Sequence, residues 1–252
     1  MDHGIGRILH QLEADGIADD TLVLFLSDNG GCAEFLNENG DGRTWPSMYR
    51  HTAPPGSTCT VGNIEGLQPG SATTFMSYDL PWANASNTPF RLYKHWVHEG
   101  GISTPCVCRW PAQITPGRLV HQPCHIVDFM ATFLELAQTD YPEEYNGNAI
   151  QPLAGESFAP LLRGDDGWQR ERPIFWEHEG NCAMRDGQWK LVSRTTAEGK
   201  NGPWELYDMQ ADRTELNDLA AGERGRVKQM AAAYDRWAAQ TGVLPWDHGP
   251  RR

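Results

Sequence analysis

The sequence predicts an α/β fold: a mixed-sheet domain over residues 1–164, then a small α+β subdomain over residues 165–252 with a four-stranded antiparallel sheet and one helix. Three observations predict it. The chain opens as helix, turn and apolar strand, and that strand stops abruptly at Ser27-Asp28-Asn29-Gly30-Gly31. Beyond residue 165, four short strand-like runs succeed one another with turn residues between them. A charged amphipathic helix comes last.

The elements follow in order. Ile5, Ile8, Leu9 and Leu12 recur at the i, i+3, i+4, i+7 spacing of one helix face. Gly16, which lacks a Cβ, suits a left-handed cap at that helix's end. Leu22–Leu26 is continuously apolar, the pattern of a strand buried on both faces. In α/β units ligands bind beyond the carboxyl ends of such strands. From Asn37 to about Thr88 no period is sustained, and Gly and Pro interrupt throughout. So long a stretch is uncommon in a compact domain, and Trp45, Tyr49, Phe75, Tyr78 and Trp82 argue for an ordered, site-lining excursion. Ile102–Trp110 reads as a strand and His125–Gln138 as a helix, with Ile126, Phe129, Met130, Phe133, Leu134 and Ala137 on one face. Phe158–Leu162 reads as a helical turn. Ile174–Glu177, Asn181–Arg185, Trp189–Arg194 and Trp204–Met209 read as strands, with Asp186-Gly187 as a hairpin signal. Glu223–Gln240 reads as the last helix, with Val227, Met230, Ala231, Tyr234 and Trp237 on its apolar side.

Composition narrows the function classes. The 252 residues carry a net charge of −12, and 39% are apolar, including ten Trp. Such a chain has the material for a packed core. Its charge opposes nucleic acid and anionic membrane, so neither is an expected partner. No run approaches the roughly 20 apolar residues of a membrane helix. The opening has no basic segment, apolar core and cleavage site, so no secretory signal is expected. Six cysteines without a CxxC pair argue against a zinc ribbon or thioredoxin-type site and are read as buried free thiols ahead of disulfides. P-loop, GxSxG and dinucleotide fingerprints are absent from the sequence.

Several residues could carry chemistry. Asp28 and Asn29, a carboxylate and an amide at a strand end before two glycines, offer hard oxygen ligands to Ca2+ or Mg2+. An ordinary Asp-Asn-Gly turn is the alternative. Lys94, in an aromatic-rich segment just before Glu99-Gly100-Gly101, could hold an oxyanion or simply snorkel at the surface. His95 and His98 could serve as acid/base residues or ligands, although the segment is not HExxH. His121 and His125 are four apart and could pair on a metal or act as cap and surface residues. Asn84-Ala85-Ser86 fits a glycosylation sequon, which matters only in a secreted eukaryotic protein. Glu143-Glu144 and Asp165-Asp166 read as solvated loops.

The order of these segments is more specific than any one of them. Met1–Gly16 leads to Leu22–Gly30. Asn87-Thr88-Pro89-Phe90 follows, then Lys94-His95-Trp96-Val97-His98-Glu99-Gly100-Gly101. Val127-Asp128 with Ala131-Thr132, Glu177-His178-Glu179-Gly180-Asn181, Trp189-Lys190-Leu191-Val192, Glu205-Leu206-Tyr207-Asp208 and Asp212–Leu219 complete the series. Together they resemble the C-terminal half of a type I sulfatase, of the arylsulfatase group in the alkaline phosphatase superfamily. The resemblance implies that residues 1–164 are the C-terminal portion of a sulfatase catalytic domain, with residues 165–252 as its small sheet-and-helix subdomain.

The resemblance further implies hydrolysis of a sulfate ester, on a sulfated small molecule or glycan, with Asp28 and Asn29 on a divalent cation. That cation is expected to be Ca2+, ahead of Mg2+. Lys94 would contact the sulfate near the ester oxygen, and His95, His98 and His178 are candidates for lining the substrate pocket. The family nucleophile, a formylglycine made within Cys-x-Pro-x-Arg, has no counterpart in this chain, because none of the six cysteines begins that pattern. The chain is therefore expected to be N-terminally truncated relative to the family and inactive in isolation. Phosphoryl or phosphonyl ester hydrolysis on the same scaffold, or a catalytically inactive fragment, are the alternative readings.

Overall fold

A computed structural model of the chain describes residues 1–34, 54–196 and 201–246. In chain order its elements are α1 (Asp2–Ala14), β1 (Val23–Leu26), β2 (Thr60–Val61), β3 (Thr74–Phe75), α2 (Asp79–Asn87), α3 (Glu99–Ile102), β4 (Cys106–Arg109) and α4 (Asp128–Leu136). They continue with β5 (Glu144–Tyr145), β6 (Asn148–Ala149), α5 (Ala159–Leu162), β7 (Ile174–His178), β8 (Asn181–Asp186), β9 (Trp189–Ser193), β10 (Glu205–Asp208) and α6 (Arg224–Thr241). Two compact units share them. The first comprises Met1–Ser27, Pro105–Ile174 and Arg185–Gly187, and the second draws on Asp28–Thr104, Phe175–Met184 and the residues from Gln188 onward.

In the first unit α1 ends as its glycine predicts. Gly16 sits at φ 70°, and the amides of Gly16 and Ile17 donate back to the carbonyls of Glu13 and Leu12, both at 3.1 Å. That pair of bonds satisfies carbonyls the helix leaves open. β1 departs from expectation. Among the described residues it pairs only with β4, antiparallel, with Val23 opposite Arg109, and Phe25 is 45% exposed, so it is not buried on both faces. The expected strand from Ile102 begins only at Cys106, because Glu99–Ile102 forms a helical turn. The core gathers Phe158, Leu161 and Leu162 with Leu22, Phe129, Leu136 and Trp168 around them. Only part of the expected α4 face turns inward, since Ile126, Met130 and Phe133 are exposed.

What fixes α4 is polar. Asp128 is fully buried and accepts from the amides of His125 at 2.7 Å and Glu156 at 2.9 Å. Arg170 grips its two oxygens at 2.5 and 2.9 Å, a bidentate pair. Thr132 extends the anchor by accepting from the Phe158 amide at 3.1 Å. The Asp128 and Thr132 positions in the family-like series are thus structural.

The second unit is built on the sheet in the order β7-β8-β9-β10. All four strands lie within a residue or two of their predicted bounds. β9 and β10 are antiparallel, with Leu191 opposite Leu206. Alternation sends Cys182, Met184, Leu191 and Leu206 to one face, where Met230 and Tyr234 of α6 cover them. Phe175 stacks on Trp237 there, with ring centroids 5.0 Å apart. Ala183, Val192 and Tyr207 take the other face, against Val97, Met209, Ile102 and Trp176. The sheet is buried on both sides, and the segment after Lys94 forms one of its covers.

The stretch expected to lack elements contains the parallel pair β2–β3 and the helix α2. Trp45 and Tyr49 of that stretch lie outside the described residues. All six cysteines are free thiols, and only Cys182 is buried. Among the described residues no helix is long and apolar enough to cross a membrane.

Candidate active site

The turn after β1 and the loop carrying Lys94 are stitched together through backbone. Gly30 donates to the Gly101 carbonyl at 3.0 Å, and Lys94 donates to the Gly31 carbonyl at 3.0 Å. Asn87 closes the arrangement from the end of α2. Its Oδ1 accepts from the Gly31 amide at 2.8 Å, and its Nδ2 donates to the carbonyls of Leu92 at 2.9 Å and Gly100 at 2.7 Å. Asn87 is 9% exposed, so these bonds are shielded from water and costly to lose. The chains approach so closely that a Cβ on Gly30 would lie 1.7 Å from the Gly100 oxygen. Only glycine fits.

This stitching leaves Asp28 exposed and Asn29 half-buried, on the same backbone assembly as Lys94. Asn29 Nδ2 donates to the Gly30 carbonyl at 2.8 Å, so its oxygen is the end suited to a cation. The donor pair is all oxygen, which fits a hard divalent ion. Because Ca2+ takes about six to eight oxygens, further ligands must come from elsewhere. The Lys94 side chain is 43% exposed, with Nζ 3.9 Å from the Glu34 carboxylate.

Lys94 and His95 are the central residues of a turn closed by the Trp96 amide on the Tyr93 carbonyl at 3.1 Å. His95 stands at φ 93°, where glycine would be unstrained. Its Nδ1 lies 2.7 Å from Glu179 Oε2, and its ring centroid lies 5.8 Å from that of His178. Glu179 and Gly180 form the two-residue link between β7 and β8, with φ 51° and 76°, as a type I′ hairpin requires. A glutamate in that left-handed position costs about 1 kcal/mol or more relative to glycine. Asn181, 1% exposed, donates to the carbonyls of His95 at 3.3 Å and His178 at 3.0 Å.

His98 goes elsewhere. It is fully buried, with Nε2 3.4 Å from Glu205 Oε2. That carboxylate also accepts from Arg91 at 3.0 Å and Tyr207 at 2.5 Å. Burial by itself pushes Glu205 up, but hydrogen bonds from His98 and Tyr207, with the charges of His98 and Arg91, outweigh it and hold the group down at about 2. Tyr207 is pushed up by burial and by its bond to Glu205. Alongside, Lys190 is fully buried between Glu99 and Glu215, each 2.8 Å from its Nζ. Glu215 also accepts from the Glu99 amide at 2.9 Å.

The structure therefore brings together Asp28, Asn29 and Lys94 through backbone, and His95 with His178 through side chains, while His98 belongs to the interior. Sequence reading missed Glu179. The available signal was a glutamate where a tight hairpin favours Asn, Asp or Gly. It also missed Asn87, whose role depends on partners up to 56 residues away. No group of potential metal ligands containing both His121 and His125 forms among the described residues.

The fold defined by this sheet, helix and loop is that of the sulfatases in the alkaline phosphatase superfamily. Residues 1–139 match the sulfatase family model, and residues 90–234 match that for the C-terminal region of N-sulphoglucosamine sulphohydrolase. The chain belongs to the sulfatase family. It is 28% identical over 252 residues to an uncharacterized sulfatase of Schizosaccharomyces pombe, covering 97% of this chain and 42% of that one. A structure solved in work on glycosaminoglycan metabolism by Bacteroides thetaiotaomicron superposes with a TM-score of 0.61 at 21% identity, over 94% of this chain and 43% of that one. Another, described in complex with its substrate D-glucosamine-2-N,6-O-disulfate, gives a TM-score of 0.54 at 20% identity, over 98% and 40% of the two chains. The chain spans about two fifths of the length of these relatives. The sulfatase family is in general metal-dependent.

Proposed function

We propose that the chain supplies the cation-binding turn and the sulfate-contacting lysine of a sulfuric ester hydrolase, within a longer protein. The observation that carries this reading is the backbone stitching, in which Lys94 donates to Gly31 and Gly30 to Gly101. It couples a pair of oxygen ligands to a single cationic side chain. Asp28 and Asn29 would hold the cation, with Ca2+ preferred over Mg2+ because the pair sits on an exposed turn that tolerates irregular, high coordination. A cation there supplies charge neutralisation of the sulfate oxygens. Lys94 Nζ stabilises the negative charge that grows on the departing oxygen and can deliver a proton to it. The protein's net charge of −12 repels anions overall, so sulfate capture depends on these local charges.

His95, next to Lys94 in the chain, and His178, at the start of the β7–β8 link with its ring 5.8 Å from that of His95, would border the pocket. His98, being buried, would act on it only through packing. The nucleophile has to come from outside these 252 residues, since Cys-x-Pro-x-Arg occurs nowhere among them. A sulfated glycan is the substrate class we favour, supported by the disulfated glucosamine bound to one structural relative. An aryl sulfate would serve as a reporter substrate. Residues 1–164 are proposed as the later portion of the catalytic domain and residues 165–252 as its sheet-and-helix subdomain.

The test begins with the reading frame upstream of the Met1 codon, where an in-frame Cys-x-Pro-x-Arg is expected. The protein expressed with that region should hydrolyse p-nitrophenyl sulfate in preference to p-nitrophenyl phosphate, and residues 1–252 alone should hydrolyse neither. Lys94→Ala should lower turnover about 100-fold or more. Absence of the motif upstream, preferred phosphate turnover, or full activity of Asp28→Ala would each overturn the proposal.

A further inference from the structure

We propose that His95, His178 and Glu179 form a binding site for a first-row transition metal of the zinc type, separate from the oxygen ligands Asp28 and Asn29. The inference is independent of sulfate ester hydrolysis. One ligand atom from each of the three residues lies within 4.8 Å of the other two, the only such group of three or more among the described residues. Two imidazoles and one carboxylate are the donors of three-ligand zinc sites, which keep a further position for water or substrate. Imidazole nitrogen suits zinc, copper or nickel, whereas Ca2+ and Mg2+ prefer oxygen. The two proposed sites therefore differ in the ion they select.

The backbone gives a second reason. His95 at φ 93° and Glu179 at φ 51° both occupy positions where glycine is unstrained. Strain retained at two facing residues points to a use for their side chains. A simple ion pair between His95 and Glu179 accounts for two of the three residues and leaves His178 unexplained. Hydrogen bonds from buried Asn181 and half-buried Thr195 hold the backbone of all three. One amide, that of Asn181, holds the carbonyls of both histidines, and Thr195 Oγ1 donates to the Glu179 carbonyl at 2.7 Å.

The donors are close to what tetrahedral zinc needs. Bonds of about 2.0–2.1 Å place neighbouring ligand atoms about 3.3 Å apart. The His95–Glu179 contact of 2.7 Å has to open slightly, and His178, whose side chain is exposed, has to swing inward. Rotation about side-chain bonds supplies both movements. The remaining position would take a water or an anionic oxygen.

Chelator-stripped residues 1–252 titrated with ZnCl2 by calorimetry, in buffer containing excess CaCl2, should bind one Zn2+ per chain. His95→Gly, His178→Ala and Glu179→Gln should each weaken that binding at least about tenfold. His95→Gly suits the local backbone and His178 is exposed, so both variants should keep the parent melting temperature in the metal-free state. Co2+ in place of Zn2+ should give ligand-field bands without the intense thiolate charge-transfer absorption of cysteine ligation. Failure to bind Zn2+, affinity equal to the parent's in the three variants, or a thiolate band assigning the metal to Cys106, Cys108 or Cys124 would overturn the proposal.

Discussion

Glu205→Gln should remove about 3 kcal/mol of stability at neutral pH and, with it, much of the protein's acid sensitivity between pH 5 and 3. The magnitude follows from the carboxylate's surroundings. Its pKa falls from an ordinary 4.5 to about 2, and each unit is worth about 1.36 kcal/mol. The side chain is only 19% exposed, so solvent screens little of this. A depressed pKa means the folded state binds fewer protons than the unfolded one. The contribution is therefore complete above pH 4.5 and is lost as pH falls toward 2. By pH 3 about 2 of the 3 kcal/mol should be gone. The amide variant keeps the shape and loses the charge, so Arg91 and His98 are left facing a neutral group. Thermal unfolding followed by circular dichroism should show a drop of about 6–12 °C at pH 7. Its melting temperature should then depend less steeply on pH than the parent's from pH 5 to 3. Equal slopes in the two proteins would refute the assignment of Glu205 as the ionised centre of this network.

Three further perturbations read other parts of the structure. Lys190→Met removes the buried cation that Glu99 and Glu215 share, leaving Glu99 the more distant Arg213 at 3.8 Å, and should cost about 3–5 kcal/mol in urea unfolding at pH 7. Asp128→Ala strands Arg170, whose side chain is 6% exposed, and should cost about 3–5 kcal/mol by the same measurement, with Asp128→Asn milder. Asn87→Ala removes three shielded hydrogen bonds and should lower stability by about 3 kcal/mol; proteolysis should then cut first in the Arg91–Gly101 loop.

Local patterns carried the second unit's sheet into view, and long-range partners decided what was missed. The strands β7 to β10 alternate in residue type and are separated by Glu179-Gly180 and Asp186-Gly187, signals that need no knowledge of the rest of the chain. α6 was equally legible from Val227, Met230 and Tyr234. β1 misled because Leu22–Leu26 is apolar throughout, yet among the described residues its only strand partner is β4, and Phe25 faces solvent. α2 was invisible because Pro81, Ser86 and two asparagines blur any apolar stripe, and of its nine residues only Ala83 and Asn87 are buried. The turn at Asp28-Asn29 and Lys94 could be picked out singly. Their coupling could not, because it runs through the carbonyls of Gly31 and Gly101. His98 reads in sequence as a candidate acid/base residue or ligand and Lys190 only as part of a strand, and both are interior because acids 107 and 91 residues away receive them.

Those separations have a consequence for how the protein is made. Arg91 reaches its partners Glu205, Tyr207 and Glu215 across 114 to 124 residues, and the Glu99 amide waits for the Glu215 carboxylate. As the polypeptide leaves the ribosome, the Lys94 loop emerges well before the strands that receive it. Loop closure over such distances precedes any reward in contacts. The loop should therefore acquire its fixed form only after Glu215 has cleared the exit tunnel. Until Glu215 has emerged, a nascent chain would hold the Asp28–Asn29 turn and Lys94 without the distant carboxylates that brace their loop.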